Sequence, residues 1–251
     1  MIVYNIPGVR WTAQATGLNT VLKRFYRKVD FSHQEVQEFT TGDTSIKFRV
    51  HTAQQSNSLR RYLEEESEII QILLEEITSE DTFYDVGACY GPFSALVSKS
   101  SPGVTVHAFE PGADRQDWFL DTADLNGVSP TLHGVALSNK ELEMELNDNG
   151  VLTEQDGNET VRLVNGDRYI RDEGLEPPTV VKIDVEGKEL DVIQGMCESL
   201  SAHCRLLLCE VHRNSQGVDP SEVYDTLEKL GFSTELVGAD REGSDYIHAW
   251  K

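Results

Sequence analysis

From residue 82 onward short apolar runs alternate with helical patterns, and no other feature restricts the possible fold as strongly. Segments 82–86, 104–109, 132–137, 180–185 and 205–211 are rich in β-branched and aromatic residues and read as strands. Helical patterns fall between them, starting near Pro92 and spanning 115–126, 189–200 and 221–230, where Gly231 supplies the stop. A further amphipathic helix, 59–78, precedes the first strand, with Leu63, Ile69, Ile70, Leu73, Leu74 and Ile77 set among glutamates. Residues 138–178 interrupt this rhythm: they are polar, rich in Gly and Asn, and extended at 143–146 and 160–164. Two last strands, 234–237 and 245–250, flank a turn-prone run and predict an antiparallel hairpin. The expected class is therefore α/β, a doubly wound, mostly parallel sheet with an antiparallel edge. One domain is expected over 61–251, with residues 1–60 a partly helical N-terminal extension.

Composition narrows the setting. The chain has 39% apolar and 26% charged residues, and no apolar run nears the roughly 18 residues of a membrane span. Residues 1–11 lack the basic flank and apolar stretch of a signal peptide, so a cytoplasmic protein is expected. Cys89, Cys197, Cys204 and Cys209 form no C-x-x-C pair, which argues against a zinc site or a disulfide framework. The net charge of −21 disfavours a nucleic-acid partner and resembles the hydrated surfaces of proteins from high-salt organisms. Residues 1–50 depart from this balance, with seven Lys/Arg against four acids. Within them, 17–31 sets Val21, Leu22, Phe25, Tyr26 and Val29 among Lys23, Arg24, Arg27 and Lys28. Such a helix meets a membrane face peripherally, or packs on the domain with a solvated basic side, the commoner arrangement.

In an open α/β sheet the ligand lies beyond the carboxyl ends of the strands, so the loop after the first strand carries the first clue. It reads Asp85-Val86-Gly87-Ala88-Cys89-Tyr90-Gly91, without the G-x-G-x-x-G that seats a pyrophosphate. S-adenosylmethionine has no phosphate but carries an ammonium and a sulfonium, which suit a carboxylate at Asp85 and close main-chain approach at Gly87 and Gly91. Glu110, before Pro111 at the end of the next strand, stands where an acid accepts hydrogen bonds from ribose hydroxyls. The cofactor set is thus Asp85, Gly87, Ala88, Gly91, Glu110 and Pro111, with Gly112, Asn126, Ala136 and Leu137 as the adenine wall.

Carboxylates gather again at the fourth strand end, Lys182-Ile183-Asp184-Val185-Glu186-Gly187-Lys188-Glu189. Taken with Phe109-Glu110-Pro111, Asn126-Gly127 and Val135-Ala136-Leu137-Ser138, this run resembles the FkbM-type, class I methyltransferases over about residues 65–232. The resemblance implies a Rossmann-like fold with a seven-stranded sheet of order 3-2-1-4-5-7-6. It also implies methyl transfer to a hydroxyl oxygen, in a family associated with sugars, glycans, glycolipids and secondary metabolites.

A hydroxyl loses its proton as it attacks a methyl group, and a nearby base assists. His212, after Glu210 on the fifth strand, is the first candidate, Asp184 the second, and Glu186 joins them at the rim. A structural reading stands beside two of them: a capped strand end for His212, and a helix start for Glu186-Gly187. Asp184 and Glu210 also suit Mg²⁺, but a hard cation needs more oxygen ligands than these, so no metal is expected. The expected acceptor is a small molecule, a sugar or a lipid-linked glycan. Rival readings are a non-catalytic cofactor-binding scaffold of glycan or lipid assembly and a nicotinamide-dependent oxidoreductase.

Overall fold

The computed structural model describes residues 35–50, 53–155, 157–213, 219–237 and 243–251. The segment 17–31, with its expected membrane contact, lies outside these residues. No helix among the described residues is long and apolar enough to cross a membrane.

Seven strands form the central sheet: β3 (Thr82–Val86), β4 (Thr105–Phe109), β5 (Thr131–His133), β10 (Val180–Ile183), β11 (Leu206–His212), β12 (Ser233–Val237) and β13 (Ser244–Trp250). Their spatial order is β5-β4-β3-β10-β11-β13-β12, which, numbered from β3 in chain order, runs 3-2-1-4-5-7-6. The first five are parallel, while β13 is antiparallel to both β11 and β12. The class I, Rossmann-like architecture is thus present with its antiparallel edge.

The period-two alternation of side chains explains the layers. Tyr84, Val86, Val181, Ile183, Leu207 and Cys209 enter one core. Phe83, Val180, Leu206 and Leu208 enter the other. Both sheet faces are covered, so the central strands are mostly apolar, with Asp85 and Lys182 as buried charged exceptions. Helix α6 (Glu189–Gly195) sends Val192 and Ile193 into the first core. On the opposite face, α2 (Ser67–Glu76) contributes Ile69, Ile70 and Leu73, and α3 (Pro92–Ser100) contributes Phe93 and Leu96. Truncating one such side chain to Ala costs about 2–5 kcal/mol.

Several expected elements divide. The helix anticipated at 59–78 is two, α1 (Ala53–Glu65) and α2, broken at the buried Glu66. Because α1 runs from 53 to 65, position 60 falls inside a helix. The strand anticipated at 132–137 ends at His133, and β6 (Ala136–Ser138) departs into a second sheet with β7 (Leu142–Leu146), β8 (Leu152–Thr153) and β9 (Glu159–Asn165). The polar excursion is therefore ordered, and it closes with α5 (Gly166–Asp172), capped by the Asn165 side chain on Arg168 N–H. Gly195 lies so near Ser138 that a Cβ would stand 1.9 Å from its carbonyl oxygen. There the expected helix 189–200 breaks into α6 and α7 (Cys197–Ala202).

A hairpin of β1 (Glu35–Thr41) and β2 (Thr44–Val50) was not anticipated. It turns through Gly42, at φ 53°, and Asp43, a two-residue loop for which a left-handed glycine is suited. Helix α4 (Ala113–Asn126) lies against β2, and α8 (Pro220–Lys229) completes the domain.

Candidate active site

A cavity of about 570 Å³ opens at the carboxyl ends of β3, β4 and β10. Its floor is main chain. Gly87, at φ 84°, passes so close to β10 that a Cβ would sit 1.8 Å from the Asp184 carbonyl oxygen, so only glycine fits. Gly91, at φ 78°, caps α3 and faces the Phe119 ring, where a Cβ would clash at 2.6 Å. Cys89 and Glu186 are the two non-glycine residues with positive φ among the described residues, both at 49°, and both line the cavity. Such conformations cost about 1–2 kcal/mol each, and they persist where the surrounding structure enforces them.

Glu110 is 2% exposed, yet it reaches the cavity wall. One oxygen accepts from Gly112 N–H at 2.8 Å and the other from Cys89 N–H at 3.1 Å. Burial raises its pKa, and these amides and Arg115 oppose that rise. Each oxygen keeps a lone pair for a ligand. Asp85 lies deeper. Its Oδ2 accepts from Ser94 N–H at 3.1 Å and Ser94 Oγ at 2.7 Å, while its Oδ1 is buried with no partner.

Pro111, Ala136 and Leu137 line the cavity beside Gly87 and Glu110. Ala88 packs instead against Ala108 and Phe119. Asn126 does not line the cavity but stands behind its wall, donating to the wall residue Thr122 at 2.8 Å. Its Oδ1 accepts from Lys47 N–H and its Nδ2 donates to Lys47 O, both at 2.8 Å. This two-point clasp ties β2 to α4, and its partner strand was the element not foreseen.

At the opposite end β11 extends three residues beyond its last pairing with β10. That overhang carries Glu210 and His212 to the level of Asp184 and Glu186. His212 Nδ1 bonds Glu189 Oε1 at 2.7 Å, and Glu189 is fully buried. Its Nε2 lies 3.6 Å from Glu186, 3.9 Å from Glu210 and 4.0 Å from Asp184. Burial alone would lower the His212 pKa, but the Glu189 bond and the facing carboxylates outweigh it and push the value up to about 9. Glu210 is pushed up to about 7, by burial first and then by Asp184 and Glu66. Asp184 and Glu186 line the cavity, whereas His212 stands behind them.

Lys182, 1% exposed, reaches Asp184 Oδ2 at 3.1 Å, with its ammonium 4.4 Å from the Phe93 ring centre. Burial would lower its pKa, but Asp184 and Asp85 raise it, and it stays charged. Asp184, Glu210 and His212 place one ligand atom each within 4.8 Å of one another.

The outer half of the cavity was missed. Phe48, Arg49 and Val50 come from β2, Leu59 and Tyr62 from α1, and Leu146, Asn149, Gly150 and Leu152 from the second sheet. The Tyr90 and Trp118 rings lie 4.7 Å apart on its wall, tilted by 33°. A signal existed for the hairpin: two alternating runs flank Gly42-Asp43. None marked where its side chains would project.

Comparison with known proteins agrees with this geometry. Residues 85–234 match the family described as the methyltransferase FkbM domain. The chain is 31% identical to the hexuronic acid methyltransferase AglP of Haloferax volcanii, over 74% of this chain and 77% of that one. It is 27% identical to the 31-O-demethyl-FK506 methyltransferase FkbM of Streptomyces tacrolimicus, over 55% of this chain and 67% of that protein. The crystal structure of a methyltransferase FkbM from Methylobacillus flagellatus superposes with a TM-score of 0.50 at 16% identity. That likeness covers 68% of this chain and 44% of the other, and it concerns the fold alone. With the family match running from the glycine loop at Asp85 past the rim at His212, this chain belongs to the FkbM methyltransferase family.

Proposed function

We propose that the protein transfers a methyl group from S-adenosylmethionine to an oxygen of a sugar, free or within a glycan or glycolipid. The observation that carries the cofactor reading is the cavity wall formed by Glu110, fixed by two amides, and by Gly87, where only glycine fits; Asp85, whose Oδ1 is buried without a hydrogen-bond partner, precedes the wall residue Val86. A ribose suits Glu110, whose oxygens keep free lone pairs. An ammonium suits Asp85, whose orphaned oxygen otherwise costs about 1–3 kcal/mol. Pro111, Ala136 and Leu137 offer apolar surface for a purine. When bound, S-adenosylmethionine supplies an electrophilic methyl group on a sulfonium.

The chain's own contribution is to align the acceptor oxygen, exclude water and receive a proton. Asp184 and Glu186 line the cavity and take the hydroxyl proton. His212, protonated near neutral pH, balances their charge from behind. This exchanges the order of candidates that sequence position favours. Similarity to a hexuronic acid methyltransferase supports a sugar as acceptor, and the Tyr90–Trp118 wall offers the flat surface that sugar rings pack on.

The test is calorimetric titration with S-adenosylmethionine and with NAD, followed by incubation of the protein with isotopically labelled S-adenosylmethionine and cell glycan extracts. Tight binding of the methyl donor and label in a carbohydrate fraction are expected. Binding of NAD alone, or donor binding without labelled product, would overturn the reading in favour of an oxidoreductase or a scaffold.

A further inference from the structure

Glu189 is the one fully buried acid of the rim, and it does not line the cavity. Its Oε1 nevertheless accepts from two donors, Gly187 N–H at 2.9 Å and His212 Nδ1 at 2.7 Å, while its Oε2 is buried without a hydrogen-bond partner. Against a carboxylate, which only accepts, the ring presents Nδ1–H. Its Nε2 is thereby turned toward Glu186, 3.6 Å away. Asp184 and Glu210 stand farther from Nε2, at 4.0 and 3.9 Å, and each is already engaged, the first by Lys182 at 3.1 Å and the second by Ser244 Oγ at 2.7 Å.

The second arm of Glu189 holds main chain. Glu186 and Gly187 both have positive φ, 49° and 90°, and Glu186 is the wall residue that this turn presents. A non-glycine residue persists there only where its surroundings enforce it. Closing a turn at the start of a helix asks for little: a short neutral side chain such as Ser, Thr or Asn serves, and it can remain in water. Here a carboxylate is withdrawn from water instead, which is costly unless it is paired, and its partner is a ring 23 residues further along the chain, on another strand. The imidazole and the turn that carries a wall carboxylate therefore hang on one oxygen atom.

We propose that Glu189 is the positioning residue of the rim: its buried Oε1 locks the His212 ring and the Glu186–Gly187 turn into one unit, so that Nε2 stays turned on the wall acids that receive the acceptor's proton. This rests on the methyltransferase reading above and adds to it a group outside the cavity through which those acids are held.

The full-length protein is compared at neutral pH with Glu189→Gln, Glu189→Ala, His212→Gln and the double variant Glu189→Gln/His212→Gln, with thermal melts to check folding. Three quantities are read: transfer of label from saturating S-adenosylmethionine to the cell glycan extract, the Kd for S-adenosylhomocysteine, and the ¹⁵N-edited proton spectrum of the histidine rings, in which His212 is assigned by its loss in His212→Gln. Glutamine keeps an acceptor oxygen for both donors and removes the charge, whereas alanine removes both. A water-sheltered Nδ1–H resonance of His212 is expected in the parent and in Glu189→Gln, and its loss in Glu189→Ala. Transfer should fall about threefold in Glu189→Gln and about 30-fold in Glu189→Ala, with the S-adenosylhomocysteine Kd within about twofold of the parent. Because glutamine acts through the ring, the double variant should be no slower than His212→Gln alone. If Glu189→Ala melts earlier yet transfers label at the parental rate, Glu189 only closes a turn and the proposal is overturned. It is also overturned if the losses of Glu189→Gln and His212→Gln multiply in the double variant, or if the parent lacks the sheltered resonance. Should the alanine variant fail to fold, the glutamine and double variants decide. If the parent transfers no label, the methyltransferase reading itself falls, a distinct result, and the resonance still tests whether Glu189 holds the ring.

Discussion

The inner and outer halves of the cavity are made of different material. The inner half is largely main chain: Gly87, two residues at positive φ and a carboxylate fixed by two amides. The outer half is mostly side chain, delivered by the β1–β2 hairpin, by α1 and by the smaller second sheet. Main-chain geometry demands particular residues, since nothing but glycine fits at φ 84° with a carbonyl 1.8 Å from its Cβ position. A side-chain wall tolerates many residues of similar size and polarity. One half is therefore rigid in sequence and chemistry, and the other is open to change.

The largest test of this contrast is Gly87→Ala. A methyl group there collides with Asp184 O and adds left-handed strain, so stability should fall by about 3 kcal/mol and cofactor binding should disappear. Thermal unfolding and calorimetry read both effects. Normal cofactor affinity in this variant would break the distinction.

Next is Glu110→Gln. An amide has one acceptor oxygen, so its NH₂ would face either Cys89 N–H or Gly112 N–H. A cofactor Kd weaker by about 100-fold is expected, with little change in kcat at saturation.

Replacing His212 by Gln should act on turnover and leave cofactor Kd alone, lowering kcat about tenfold. The pH profile gives the sign. The His212 pKa is raised above its ordinary 6.5 to about 9, so the folded state favours the protonated ring. Its contribution to stability is complete below about 6.5 and is lost as pH rises through about 9. If the imidazolium balances the rim, activity falls over that alkaline limb, and the variant lacks it. Activity that rises through the same limb would make His212 the base.

The smallest effect belongs to the outer half. Arg49 and Asp121 are partly exposed, and a double-mutant cycle should give a coupling of about 0.2–1 kcal/mol. Acceptor KM should respond to Arg49→Ala while cofactor Kd does not.

The same contrast decides what was legible in the sequence. Strands β3, β4, β10 and β11 were clear because both of their faces are buried and most of their residues are apolar. Glu110 and Asp184 were legible because each ends such a strand. Asn126 was misread because its partner, the Lys47 main chain, belongs to a hairpin 79 residues earlier. The breaks at Glu66 and Met196 were invisible because helical periodicity continues through them; at Met196 the close contacts of Gly166 and Gly195 mark where the chain turns.

The contact between Gly87 and the Asp184 carbonyl has one more consequence. Two strand ends that occupy adjoining space, with no room for even a methyl group, cannot be displaced separately, so the floor behaves as one inherited casting. A descendant of this chain that came to methylate something else would have to be recut at the roof, as in residues 35–50, where the turn at Gly42 has nothing within 4 Å of its Cβ position.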